Sequence, residues 1–286
     1  MHDIVTRIGN SVIQHGNYND RIYLMKLSRG DFPDIIDTLD TMAQDNGYSK
    51  IFAKVPRYAK DGFINNGFII EASIPNFYNG EQAFFMAKFF NEQRRQNEKS
   101  EEINKVLEEA QKRAADSKVI EPGTGSLYRI CGAQDAPQMA QVYKRVFATY
   151  PFPIHDPGYI VETMNENVIY FGIWSQSKVV ALSSAEMDLE SGNAEMTDFA
   201  TLPEYRGKGL SVFLLQLMES EVRKRQIKTA YSIARALSFG MNITFSKMGY
   251  RYCGTLINNT NISGRFESMN VWYKSLLELP DSSLCR

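Results

Sequence analysis

The stretch Glu195-Met-Thr-Asp-Phe-Ala-Thr-Leu-Pro-Glu-Tyr-Arg206-Gly-Lys-Gly-Leu-Ser211 limits what this chain can fold into more than any other, because it commits three successive pieces of backbone. Glu195 to Thr201 is patterned as a strand, Gly207 and Gly209 bracket a basic turn, and Phe213, Leu214, Leu217, Met218 and Val222 share one face of a helix running from Leu210 to about Gln226. Glycine lets backbone approach a ligand without a Cβ in the way, and a helix start aims unpaired N–H groups and partial positive charge outward. Arg206 and Lys208 add full charges, so a diphosphate is the expected occupant. The loop is not a P-loop: Leu202 stands where the first glycine is needed, and Gly209, not Ser or Thr, follows the lysine.

Around this segment the pattern predicts a helix from Ala136 to Tyr150 and antiparallel strands at Ile169–Trp174, Val179–Glu186 and Glu195–Thr201, a mixed α+β sheet. Upstream, Glu92 to Arg113 reads as a charged surface helix with Ile103, Val106, Leu107 and Ala110 as its apolar stripe, followed by the Pro/Gly/Ser cluster Glu121–Ser126. The expected organisation is therefore a half spanning 1–120 and a second spanning 126–286. Lys50–Val55 with Phe63-xxx-Gly67-Phe68 parallels Lys228–Ile233 with Phe245-xxx-Gly249-Tyr250, and the copies close on Phe84-Phe-Met-Ala-Lys88 and Val271-Trp-Tyr-Lys274. The first copy has no counterpart of Arg206-Gly-Lys-Gly, so it is expected not to bind a cofactor.

With 32 Lys+Arg against 33 Asp+Glu, the formal net charge of -1 provides no field for gathering nucleic acid or an anionic membrane. The N-terminus lacks an apolar h-region, and the three cysteines, Cys131, Cys253 and Cys285, have no metal or redox spacing. A cytoplasmic protein with a small-molecule partner and no metal is the expectation.

The order of strand, Arg206-xx-Gly209-x-Ser211, helix, strand and Gly-aromatic turn resembles the GNAT N-acetyltransferase superfamily over about residues 126–286, with Ser211 departing from the usual last Gly or Ala. That resemblance implies a GNAT fold, a mixed and mostly antiparallel sheet flanked by helices, joined to a degenerate GNAT-like N-terminal half. Further stretches, among them His15-Gly-Asn-Tyr-Asn-Asp-Arg, Tyr150-Pro-Phe-Pro-Ile-His and Glu267-Ser-Met-Asn-Val-Trp-Tyr-Lys, extend it over nearly the whole chain, toward the subgroup that acetylates the epsilon amine of beta-lysine. This implies acetyl-CoA as donor, a lysine aminomutase upstream and an osmolyte as product, while a homodimer stays open. Two other readings stay open as well: acetylation of a different amine (a polyamine, an amino sugar, a peptide terminus) and a non-catalytic acyl-CoA sensor.

An alkyl ammonium has a pKa near ~10.4, so freeing its amine at pH 7 costs roughly 4 to 5 kcal/mol and calls for a base. The resemblance places that base at Glu195, eleven positions before Arg206, and partial burial should raise its pKa; a solvent-facing strand carboxylate is the alternative. Asp198 shares a face with Glu195 only across a β-bulge, which the family carries there, with backbone N–H groups of Phe199, Ala200 and Thr201 toward the pantetheine. Arg206, Gly207, Lys208, Gly209, Leu210 and Ser211 are the expected diphosphate contacts. Asn242 is either a further coenzyme contact or a helix cap. Glu186, Asp198, Arg235, Asn258, Asn259, Arg265 and Asn270 are expected around the acceptor, with Arg235 read as a buried guanidinium and Asn258–Gly264 alternatively as a polar turn. Phe245 stands where many relatives carry a thiolate-protonating tyrosine, leaving the general acid open among Tyr231, Tyr250 and Tyr252.

Overall fold

Thirteen strands join into one sheet in the computed structural model, which describes residues 3–114 and 126–277. The expected linker at Glu121–Gly125 and Cys285 lie outside the described residues. The N-terminal half contributes β1 (Ile4–Ile8), β2 (Ser11–Gly16), β3 (Arg21–Lys26), α1 (Ile35–Asn46), β4 (Lys50–Pro56), α2 (Lys60–Asn65), β5 (Ile69–Tyr78), β6 (Glu81–Phe89), α3 (Glu92–Arg95) and α4 (Ser100–Lys112). The C-terminal half contributes β7 (Ser126–Ile130), α5 (Ala136–Val146), α6 (Pro157–Asn165), β8 (Val168–Ser175), β9 (Lys178–Asp188), β10 (Asn193–Thr201), α7 (Leu210–Lys224), β11 (Thr229–Arg235), α8 (Phe239–Lys247), β12 (Arg251–Ile262) and β13 (Arg265–Ser275).

The sheet order is β1-β2-β3-β4-β6-β5-β12-β13-β11-β10-β9-β8-β7. Read inward, β1-β2-β3-β4-β6-β5 repeats the rhythm of β8-β9-β10-β11-β13-β12, and the parallel pairs, β3 with β4 and β10 with β11, take equivalent places. Both Gly-aromatic turns use a left-handed glycine after a helix, Gly67 at φ 83° and Gly249 at φ 76°. The halves meet where Gly254 of β12 faces Ala72 of β5. A Cβ on Gly254 would stand 2.1 Å from the Glu71 carbonyl, so only glycine permits that approach.

Three apolar clusters follow from this layout. One surrounds α1 in the first half, one fills the second half beneath α5 and α7, and a third spans the seam, setting Tyr23, Phe52, Phe77 and Phe85 against Tyr231, Leu256 and Val271. The charged helix expected over Glu92–Arg113 is two helices, parted at Gln96–Lys99, and the buried Ile103, Leu107 and Ala110 of α4 join the core of the second half. Helices α1 and α6 were not expected from the sequence pattern; α6 begins at Pro157, with Asp156 accepting from the Gly158 N–H at 2.8 Å, an N-cap hidden in a proline-rich stretch.

Candidate active site

The site is organised by an irregularity in β10. Its pairing with β9 steps from Thr197↔Ser184 to Ala200↔Leu182, one residue too many on β10, and Asp198 absorbs the excess at φ 54°. Glu195 and Asp198, which a regular strand would point apart, therefore line the same cavity. On its other side β10 pairs with β11 only over Asn193–Glu195, after which the two strands part. Phe199 and Thr201 line the resulting cleft, while the Ala200 side chain is buried in the core.

At the end of β10 the chain turns through Arg206-Gly-Lys-Gly, with Gly207 at φ 78° and Gly209 at φ 74°. A Cβ on Gly207 would meet nothing within 4 Å, so left-handed backbone, not space, is what that glycine supplies. Gly209 is the N-cap of α7 and offers no side chain to its first-turn amides, which stay available to a ligand. The Arg206 Nε donates to the Thr201 carbonyl at 3.2 Å, tying the loop to the strand end, and the Lys208 ammonium rests over the Tyr205 ring, 4.7 Å from its centroid. Loop, cleft and carboxylates open onto one cavity of about 1490 Å³ that also reaches Leu210 and Ser211.

Inside it, Glu195 lies in register with Glu186 on β9 and Tyr231 on β11. Burial raises the Glu195 carboxyl to about 7, the nearby Glu186 charge adds to this, and Lys54 with a Tyr231 hydrogen bond opposes it. Glu186 is open to the cavity yet surrounded by enough protein that desolvation raises its pKa too. Asp198 is raised by burial, opposed by donors that favour its anion: Ser184 Oγ at 2.5 Å and the Tyr150 hydroxyl.

The facing wall comes from the N-terminal half, where sequence reasoning placed no site residue. Arg21 and Tyr23 of β3 and Phe52 and Lys54 of β4 line the same cavity. Burial would depress the Lys54 ammonium, but Tyr23, Glu195, Tyr78 and Glu186 around it more than offset this and hold it above its ordinary value. One signal was present: strands of a parallel pair read as apolar runs when buried on both faces, and the cations in Arg21-Ile-Tyr-Leu-Met-Lys and Lys50-Ile-Phe-Ala-Lys-Val-Pro break that pattern.

Several expected contacts lie elsewhere. Asn242 is fully buried with its hydrogen bonds spent: Nδ2 donates to the Arg235 and Ser238 carbonyls at 3.0 and 2.8 Å, and Oδ1 accepts from Asn270 and Trp272, both at 2.9 Å. Asn270 also accepts from Thr255 at 2.7 Å, so this pair braces β13 against α8 and neither lines the cavity. Asn258 donates to the Arg94 and Gln96 carbonyls, both at 2.9 Å, and together with Arg265 borders a separate, smaller pocket. The run from Asn258 is the end of β12, with the turn confined to Ser263-Gly264. Arg235 reaches the cavity rim, but its guanidinium is half exposed and grips Glu267 through two 2.7 Å bonds, the reverse of a buried unpaired cation. Asn259 does line the cavity.

None of the three tyrosines considered as general acid lines the cavity: Tyr231 bonds Glu195, Tyr250 bonds Glu219 and Tyr252 bonds Thr255 at 2.7 Å. Phe245 packs edge-on against Phe199, centroids 5.7 Å apart. Among the described residues no group of three or more His, Cys, Asp or Glu side chains could hold a metal ion, and no helix is long and apolar enough to cross a membrane.

A splayed and bulged parallel strand pair, a left-handed glycine turn and an uncapped helix start beside a half-buried carboxylate form a candidate site for acyl transfer from a coenzyme. The chain belongs to the GNAT acetyltransferase family, whose profile matches residues 139–250, and is an acetyl-CoA-dependent N-acetyltransferase. It is 44% identical to the beta-lysine N(6)-acetyltransferase of Methanococcus maripaludis over 272 residues, covering 94% of this chain and 98% of that one. A second beta-lysine N(6)-acetyltransferase, from Methanosarcina mazei, is 32% identical over 86% of this chain and 98% of its own length. N-acetyltransferase YodP of Bacillus subtilis is 33% identical, covering 93% of this chain and 96% of its own.

Proposed function

We propose that this chain transfers the acetyl group of acetyl-CoA to the terminal amine of beta-lysine, giving N-epsilon-acetyl-beta-lysine by direct transfer in a ternary complex. The observation that carries this reading is the continuity of one cavity from the Arg206–Ser211 loop to Glu195, whose pKa of about 7 suits a base that takes a proton from an ammonium at neutral pH. Its 44% identity to a beta-lysine N(6)-acetyltransferase supports the choice of acceptor.

In this mechanism the α7 start, with Arg206 and Lys208, holds the diphosphate. Backbone amides freed by the parting of β10 from β11 receive the pantetheine arm. Bound acetyl-CoA supplies the activated acyl carbon. Glu186 and Asp198 attract the incoming ammonium, and Glu195 removes its proton while Lys54 moderates the accumulated negative charge. An acetyl-enzyme is disfavoured, because burial pushes the Cys131 and Cys253 thiols up to about 12 and neither lines the cavity.

The same proposal keeps residues 1–120 and 126–286 as the two structural units, with α4 docked on the second, and places the reaction in the cytoplasm, downstream of a lysine aminomutase. The product, with one ammonium and one carboxylate left, is a net-neutral solute suited to osmoprotection. The test is a panel of amines, including beta-lysine, lysine, spermidine and glucosamine, followed by thiol release and product mass. Beta-lysine should give the highest kcat/KM and one acetyl adduct on its terminal nitrogen; a better acceptor elsewhere in the panel would replace it, and no release with any amine would favour a sensor.

A further inference from the structure

The cavity wall holds two buried polar side chains of opposite sense, each with one atom that finds no hydrogen-bond partner among the described residues. Arg21 is 5% exposed and lies on the cavity wall. Its Nη1 donates to the Asn259 carbonyl and, at 3.4 Å, to Thr260 Oγ1, while its Nε finds no acceptor among the described residues. Among the described residues no carboxylate forms an ion pair with it, although Asp3 and Glu71 act on it from farther away. Glu71 is taken by Lys50 at 2.9 Å and by the Ile257 N–H at 2.7 Å, and Asp3 accepts from the Tyr18 and Asn19 loop. Beside Arg21, Asn259 is 2% exposed, also lines the cavity, and leaves its Oδ1 without a donor. A buried guanidinium without a directly paired anion and a buried carbonyl without a donor are both costly, and a ligand that supplies an anion and a cation side by side relieves both.

We infer that Arg21 and Asn259 form a zwitterion clamp for the acceptor, Arg21 receiving its carboxylate and Asn259 Oδ1 the ammonium two carbons away. The assignment rests on the beta-lysine reading and adds to it the basis of regioselectivity. Arg21 and Tyr23 are two apart on β3, hence on one face and about 7 Å apart along the strand. The Arg21 guanidinium carbon lies 5.4 Å from the Tyr23 ring centroid, and Tyr23 in turn lies close enough to Glu195 to feel its charge. The cavity thus runs from clamp to base along a path suited to a flexible amine chain. With the beta-amino end held as a cation, only the terminal nitrogen reaches Glu195.

The test compares beta-lysine with 1,4-diaminopentane, the same diamine lacking its carboxylate, and with 6-aminohexanoate, which lacks the beta-amine. In the native protein, loss of the carboxylate should lower kcat/KM by about 100-fold and loss of the beta-amine by about 10-fold. Arg21→Gln should raise KM for beta-lysine about 100-fold with kcat within about 3-fold, leave 1,4-diaminopentane nearly unaffected, and be partly rescued in Arg21→Lys. Asn259→Ala should shrink the gap between beta-lysine and 6-aminohexanoate. Equal turnover of beta-lysine and 1,4-diaminopentane by the native protein, an arm that needs no variant to fold, would overturn the clamp and leave the acetyltransferase reading intact. So would an Arg21→Gln variant that loses both diamines in proportion. If none of the three is acetylated while another amine is, the beta-lysine reading fails first and the clamp with it.

Discussion

The two halves share a strand order and a parallel central pair, yet only the second carries the Arg206-Gly-Lys-Gly turn. Both β3 and β10 carry one extra residue against their antiparallel neighbour, but β10 takes it up in a left-handed Asp198 and is followed by left-handed glycines at 207 and 209; between β3 and α1, Leu27 to Asp34 contains no left-handed residue, and Gly30 lies in a short helical turn. The C-terminal pair separates after Glu195, whereas β3 and β4 stay paired from Arg21↔Lys50 to Leu24↔Ala53. A shared topology therefore does not carry a shared site: the left-handed turn and the early parting of β10 from β11 leave backbone amides free, whereas the paired stretch of β3 and β4 spends its amides on the ladder. The N-terminal half instead turns Arg21, Tyr23 and Lys54 toward the cavity of the second half and serves as a wall.

That contrast is most exposed to test at Glu195. Glu195→Gln should lower kcat by ~10²- to 10⁴-fold with little change in acetyl-CoA affinity by calorimetry, since it removes a proton acceptor and no binding surface. Turnover equal to the native value would dismiss Glu195 as base.

Next in size is the comparison of the two connections. Arg206→Ala should weaken acetyl-CoA binding by about tenfold, as expected for one charge-assisted contact, while Arg29→Ala in the N-terminal connection should leave it unaltered. A matching loss at Arg29 would show that both halves hold coenzyme.

The smallest effect concerns the wall's influence on the base. As the proposed base Glu195 would work when deprotonated, so kcat/KM should fall as pH drops through about 7. Lys54 favours its charged form, so Lys54→Met should move this acidic limb to higher pH, read from a pH–rate profile. A limb that stays put would mean that Lys54 packs in the wall without tuning the base.

Much of the C-terminal half was legible in the residues because its determinants are local. Alternation marked β8, β9 and β10 to within a residue or two, the apolar face marked α7, and the glycines marked the turn between them. Helix α6 was lost among prolines because its start depends on one side-chain cap at Asp156. Asn242 and Asn270 misled for a different reason: a buried amide answers to whichever neighbours the fold provides, and here these are Trp272, Thr255 and the carbonyls before α8.

What the sequence determined by itself is the loop, the helix behind it and a carboxylate at a fixed distance upstream, because periodicity and glycine conformation act over a few residues. What only the tertiary structure decided is who faces that carboxylate. Arg21 touches the backbone of Asn259 across 238 positions, and Lys54 comes within electrostatic reach of Glu195 because the sheet brings its two central pairs to one cavity. Such proximity is set by packing across the seam, where Gly254 admits β5 and the aromatic cluster holds both halves together, and no short-range pattern records it.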